Sequence, residues 1–340
     1  MIGIIKVMAG GSTKAVYAAI AGNTIVMVAK FLAFLSAGSP AMLSEAIHSM
    51  ADVGNQSLLA LGIRKSSAAP EPGFPYGFHR DRYVWALISA VGIFFLGCGV
   101  TVYHCVSSLL HPHYEEGGAM LSIGVLLFSF IVEGATLLVA LRAVNSLRGD
   151  IPLLKYLRET EDPMASAVLL EDGAAVLGVL VAALGIGLTE ITGNPIFDSI
   201  GSIALGLLLG LIAVALIRRN RALLLGERVR EETVERMVSI LKEQPEVEQL
   251  HEVKAVVLGT GALRLAADID FDGRALARTL LSGKDIEALR GSWEDAAALQ
   301  QWLEEFGEAV VEELAVSVDR IEKELTDQIP ELTHVALEAD

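Results

Sequence analysis

The chain has 340 residues, 53% of them hydrophobic, a net charge of −16 and two cysteines. Its apolar residues gather in blocks of about twenty or more, enough to cross ~30 Å of hydrocarbon at ~1.5 Å per residue, which excludes an ordinary soluble globule. Cys98 and Cys105 share one such block, which excludes a disulfide framework or a thiolate zinc cluster.

The charge divides the chain in two. Residues 1–226 carry 15 acidic and 14 basic groups, and residues 227–340 carry 27 and 12. This predicts a six-span transmembrane domain over 1–226 and an acidic cytoplasmic α+β domain over 227–340. The acidic half repels nucleic acid and anionic lipid. A solvated acidic surface accounts for it, and a local enrichment of cations is the sharper reading.

In chain order, apolar runs predict spans at 13–37, 40–63, 82–110, 118–146, 163–189 and 196–219. Arg64, Lys65, Arg80 and Arg82 flank the connection between the second and third. Arg142, Arg148, Lys155 and Arg158 flank that between the fourth and fifth, and Arg218, Arg219 and Arg221 follow the sixth. The connections around Gly38-Ser39-Pro40, His111 to Gly118 and Thr192-Gly193-Asn194-Pro195 hold no Lys or Arg. The positive-inside rule then puts both termini on the cytoplasmic side, or on the matrix side in an organelle.

In the tail, Val234 to Leu241 reads as a helix. Leu250 to Leu258 and Leu263 to Phe271 read as strands joined through Gly259-Thr260-Gly261. Helices over roughly 284–306 and 307–327 and a strand over Thr333 to Leu337 complete an α-β-β-α-α-β order, a small ferredoxin-like sandwich. Val311, Leu314, Val318, Ile321 and Leu325 form a stripe that packs on the sheet or, alternatively, on a second subunit.

An ionisable group inside a span costs ~3 kcal/mol or more at the helix centre, so each is a functional candidate. The second span is densest in them: Glu45, His48, Asp52 and Asn55 are spaced three, four and three apart and share one face. His48 and Asp52 are one turn apart, and imidazole plus carboxylate suits zinc, less exclusively cobalt, nickel, iron or manganese. The alternative is a buried His48–Asp52 pair without metal. A second helix must complete a site, and the fifth span offers Glu171-Asp172-Gly173-Ala174-Ala175. Neighbours on a helix diverge by about 100°, so Glu171 and Asp172 do not both aim at one ion without distortion. Glu171 is then a gating or supporting carboxylate, or a ligand. Asn55 and Gln56 cap carbonyls between helices, or Asn55 ligates. Lys30 and Glu133 are isolated charges of opposite sign able to neutralise each other, and Glu190 reaches water at the outer surface.

These residues resemble the cation diffusion facilitator family, and within it the zinc transporter nine branch. The resemblance rests on His48-Ser49-Met50-Ala51-Asp52-Val53-Gly54-Asn55-Gln56, on Leu170-Glu171-Asp172-Gly173-Ala174-Ala175-Val176-Leu177-Gly178 and on Ile191 to Pro195. In the tail it includes His251-Glu252-Val253-Lys254-Ala255 and Asp268 to Arg274. It implies a homodimeric proton-coupled antiporter, not an enzyme, that exports zinc from the cytoplasm across a cell inner membrane, or across a mitochondrial membrane in a eukaryote. The start of the chain so near the first span resembles a bacterial-type relative. The family places two ligands four apart on each of spans two and five. His48 and Asp52 match the first pair and Asp172 one member of the second; its partner falls on Val168, which cannot bind metal. The fourth ligand is therefore Glu171, Asn55, Glu45 or water. His251 matches one position where relatives hold further metal, against a purely fold-stabilising role; His79-Arg80-Asp81-Arg82 matches an accessory site only weakly. Transport of manganese, iron or cobalt, and a regulatory dimer partner that has lost transport, are the alternatives. An intramembrane metalloenzyme is disfavoured by the lack of a His-Glu-x-x-His motif.

Overall fold

The computed structural model describes residues 2–37, 40–110, 119–160, 162–192, 196–291 and 296–340. The connections expected at Gly38-Ser39, His111 to Gly118 and Gly193 to Pro195 lie outside the described residues, as do the side chains of Glu45 and Glu190. The chain forms two compact units, Met1–Leu225 and Gly226–Asp340.

The first unit is helical. Helices α1 (Ile2–Ala37), α2 (Pro40–Ser66), α3 (Asp81–Gly92), α4 (Thr101–Leu110), α5 (Ala119–Arg148), α6 (Leu153–Glu159), α7 (Pro163–Thr192) and α8 (Ile196–Leu224) follow in order, and a π-helical stretch, Ile93–Val100, joins α3 to α4. Among the described residues, five helical segments are long and apolar enough to cross a membrane: Thr13–Ser36, Asp81–Tyr103, Gly124–Arg148, Pro163–Val181 and Ile203–Leu224. The expected second span, now α2, falls outside that set, because His48, Asp52, Asn55 and Gln56 lower its hydropathy.

Small residues let these helices approach. Ala15, Ala19, Ala140, Ala143, Ala165 and Ala167 are buried with Leu59, Met164 and Val168 in one apolar core. Large apolar side chains such as Leu35, Ile131 and Leu211 face outward instead. The expected third span is helical throughout but changes its winding over Ile93–Val100. The π-helical segment contains Gly97 and Gly99, whose missing Cβ atoms lower the resistance to a wider turn. Beside it, a Cβ on Gly210 of α8 would lie 2.9 Å from Cys98 Sγ, so glycine is what allows this contact.

One end of the unit is tied by buried charge. Arg82 Nη1 at the start of α3 lies 3.6 Å from Asp162 Oδ2, with both side chains buried. Asp162 Oδ1 accepts from the Met164 amide at 3.1 Å, capping the first turn of α7. Arg219 of α8 donates twice to the Thr160 carbonyl, at 2.7 and 3.0 Å.

The second unit runs α9 (Glu231–Lys242), β1 (Val247–Gly259), β2 (Ala262–Phe271), α10 (Gly273–Leu281), α11 (Ile286–Gly291), α12 (Ala296–Gln328) and β3 (Leu332–Ala339). The strands lie in the order β1-β2-β3. β1 and β2 are antiparallel, pairing Ala255 with Leu265, and β2 and β3 are parallel, pairing Leu265 with Val335. A parallel pair needs a long crossover, and α10 to α12 supply it. Gly261 turns the hairpin at φ +69°, a conformation that favours glycine. Leu263, Leu265, Ala267 and Ile269 alternate onto the buried face. Val234, Met237, Ile240 and Leu241 of α9 are buried as one stripe.

The helices expected at 284–306 and 307–327 are instead the short α11 and a single α12, because Gly307 sits in open space and does not break the helix. The expected stripe is buried at Ile321 and Leu325, while Val311 at its other end is 67% exposed. Arg320 of α12 reaches Glu246 Oε2 and Gln244 Oε1, each at 2.7 Å, fixing the helix against the turn before β1. His251 of β1 and Asp270 of β2 face each other with Nε2 2.8 Å from Oδ2. This hydrogen bond, with the nearby Asp340 and Asp268 charges, raises the His251 pKa against a smaller opposing effect of burial.

Two outcomes follow from these contacts. Asp162→Ala leaves Arg82 buried and uncompensated and should destabilise the helical unit by about 3 kcal/mol, read as a lowered unfolding midpoint in detergent, with partial recovery in Arg82→Met/Asp162→Leu. His251 binds its proton more tightly folded than unfolded, so its pairing stabilises fully below the reference pKa of ~6.5 and is lost as pH rises through the raised value. His251→Gln should therefore lower the unfolding midpoint of the tail unit in mild acid and leave it unchanged at about pH 9.

Candidate metal centre

The centre lies in the helical unit, where α2 and α7 carry most of its ionisable groups. Along α2, His48 and Asp52 are one turn apart, with Nε2 3.9 Å from Oδ2 and each side chain a little over one third exposed. They line an accessible rim. Asp172 of α7 is buried beneath it, at 2% exposure. Asp52 is near enough to act electrostatically on both Glu171 and Asp172. Asp52 thus links the two carboxylates of α7 with His48, its neighbour one turn away on α2.

Glu171 Oε1 is buried without a hydrogen-bond partner, as is Asp172 Oδ2. A buried carboxylate oxygen left without a donor is costly unless a cation or proton meets it. Val168, one turn before Asp172, is fully buried in the apolar core and offers no donor atom.

Asn55 is turned elsewhere. It is buried, and its Oδ1 lies against α3, where a Cβ on Gly92 would come within 2.7 Å of it. Glu45 lies on α2 with its side chain outside the described set. Gln56 does not cap a helix carbonyl. Its Nε2 donates to Asp172 Oδ1 at 3.4 Å, and its Oε1 accepts from Asn23 Nδ2 of α1 at 3.0 Å. Thr136 of α5 is buried nearby, its hydroxyl donating to the Glu133 carbonyl at 2.9 Å. Asn23 and Thr136 did not stand out in the sequence, since an uncharged polar residue in an apolar run carries a weak signal; the signal available was their presence on helices that must pack against the second and fifth spans. Lys30 of α1 and Glu133 of α5 are both buried on helices in contact.

The donors of this centre converge loosely. Among the described residues, three donor atoms lie within 4.8 Å of one another only at His251, Asp270 and Asp340 of the tail unit. There Asp340 Oδ2 stands 3.8 Å from His251 Nε2, and all three side chains are at least partly exposed. His79 is half-buried beside the Gly77 turn and joins no such group among the described residues.

Residues 16–225 match the family model described as the cation efflux transmembrane domain. The chain is 44% identical over 336 residues to the human mitochondrial proton-coupled zinc antiporter SLC30A9, covering 96% of this chain and 58% of that protein. It is 38% identical over 339 residues to metal tolerance protein C4 of Arabidopsis thaliana, covering 96% and 73% respectively. Similarity to the magnetosome protein MamM of Paramagnetospirillum magneticum is 27% over 164 residues, 48% of this chain and 49% of that one. The chain spans less than two thirds of the human relative's length. With apolar helices able to cross a bilayer several times and a family match over most of its helical unit, this chain is a multi-pass membrane protein of the cation diffusion facilitator family.

Proposed function

We propose that the chain is a proton-coupled zinc antiporter, a transporter and not an enzyme, that moves zinc out of the cytoplasm or matrix by alternating access. The observation that carries this reading is the set His48, Asp52, Glu171 and Asp172, drawn from two helices into an apolar bundle with two buried carboxylate oxygens lacking donors. The human relative's name, a proton-coupled zinc antiporter, agrees with that chemistry. In this reading α2 is the second of six spans, both termini face the cytoplasm or matrix, and residues 227–340 form a ferredoxin-like cytoplasmic domain of a homodimer.

Zinc is cargo here. It takes nitrogen and oxygen donors in tetrahedral sets, and His48, Asp52 and Asp172 supply three. Glu171 is the fourth in place of the family ligand that Val168 replaces, because its oxygen is buried beside Asp52 and Asp172 while Asn55 is packed on Gly92. Binding requires a neutral imidazole and ionised carboxylates, so metal and protons compete for the same atoms. Facing the side of lower proton activity, the set loses protons and takes zinc; facing the other side, it gains protons and releases it. Rocking of helices about a fixed midplane site alternates the two exposures. His251, with Asp270 and Asp340, is the accessory cation position of the tail.

Proteoliposomes containing the full chain should accumulate or release zinc when a pH gradient is imposed, and a proton ionophore should abolish the flux. Asp52→Ala and Asp172→Ala should each reduce it at least about ten-fold, and wild-type flux in both removes the site assignment. Manganese, iron or cobalt moved in preference to zinc changes the cargo and leaves the site. A second reading, a dimer partner that no longer transports, is favoured by Val168 alone; a well-folded dimer with no metal flux under any gradient would establish it.

A further inference from the structure

The chain Asn23–Gln56–Asp172 crosses three helices with one direction. Asn23 Nδ2 of α1 donates to Gln56 Oε1 of α2 at 3.0 Å, and Gln56 Nε2 then donates to Asp172 Oδ1 of α7 at 3.4 Å. Asn23, Gln56 and Asp172 are all buried, at 8%, 1% and 2% exposure. An ionised carboxylate can only accept, so it needs the amino end of the glutamine. The amide has two unlike ends, and turning one to Asp172 leaves its oxygen facing α1, where Asn23 supplies a donor. The orientation is thus set from the far end.

The geometry around Asp172 is asymmetric as a result. Oδ1 is engaged by Gln56, while the buried Oδ2 has no hydrogen-bond partner. Gly22, next to Asn23, leaves room for the Thr136 methyl of α5 that a Cβ would displace. The support of the carboxylate therefore draws on α1, α2 and α7, with one oxygen committed to protein and the other left without a donor.

We propose that Gln56 is a positioning residue for Asp172 and that Asn23 sets its polarity, a role that rests on the zinc-site reading above. Polar partners that orient a metal-binding side chain are commonly worth about 10- to 100-fold in affinity. The same two amides could be joined merely to satisfy each other in a dry bundle. Direction separates these roles. Asn23→Asp is nearly isosteric but, once ionised in an alkaline assay buffer, accepts where asparagine donates. It should make Gln56 turn its amino group toward position 23 and its oxygen toward Asp172.

The test is zinc affinity of the full chain in detergent, by calorimetry on the monodisperse fraction, beside the metal-free unfolding midpoint and the KM and maximal rate in proteoliposomes. Gln56→Met and Asn23→Asp should each weaken zinc binding by about 10- to 100-fold and raise KM far more than they lower the maximal rate. The visible spectrum of bound cobalt should change in Gln56→Met. Wild-type affinity in either variant overturns the proposal, as does a loss of affinity found only where the unfolding midpoint falls with it. Asp172→Ala separates the two levels. If it keeps wild-type zinc affinity, the site reading itself fails; if it abolishes binding while Gln56→Met does not, only the positioning role fails.

Discussion

Everything in the helical unit answers to the cost of placing ionisable groups where there is no water. A buried carboxylate without a counter-charge or donor is among the most expensive features a bundle of helices can carry. Two arrangements meet that cost here. Asp162 is held by Arg82 and by the first turn of α7, so its charge is consumed by structure. Asp172 has one oxygen held by Gln56 and the other left bare. The first arrangement is closed and serves stability. The second is open on one side, which is the condition for reversible binding of a cation or proton.

Much of this was legible in the sequence because both signals are strong. Apolar runs of span length survive any detail of packing, and most helices start and stop near the expected bounds. The spacing from His48 to Asp52 places two donors on one face whatever surrounds them. Relations among four helices were not legible. Nothing in one-dimensional spacing says that Gln56 meets Asn23, or that Asn55 lies against Gly92. The divergence of about 100° between neighbours left open whether Glu171 ligates or only supports the centre. A glutamate is long enough to bend back, and only tertiary packing reveals that its oxygen is buried beside Asp52.

The tail shows the same division. Alternation over Leu263 to Ile269 and the Gly259-Thr260-Gly261 turn specified the hairpin, since a period of two and a positive-φ glycine are local properties. The fate of α12 was not local. A five-residue stripe from Val311 to Leu325 is uniform in sequence, yet it is buried only toward its C-terminal end. What lies under a stripe is decided by the length of the sheet, which the stripe itself does not encode. Gly307 likewise reads as a break, but a glycine on an exposed helix face costs only about 1 kcal/mol, too little to end a long helix.

The wide winding of Ile93–Val100 alters the bookkeeping of faces along its span. Hydrogen bonds from i to i+5 advance each residue through a smaller angle than the ~100° of an α-helix. By Thr101 the phase of the span has slipped relative to a wheel drawn continuously from Asp81. A labelling scan that assumes one period over Asp81 to Leu110 would assign Thr101, Val102 and Tyr103 to the wrong sides, toward lipid or toward α8. Accessibility patterns before and after this segment therefore belong on two separate wheels, with the offset between them measuring how much of the wide winding persists.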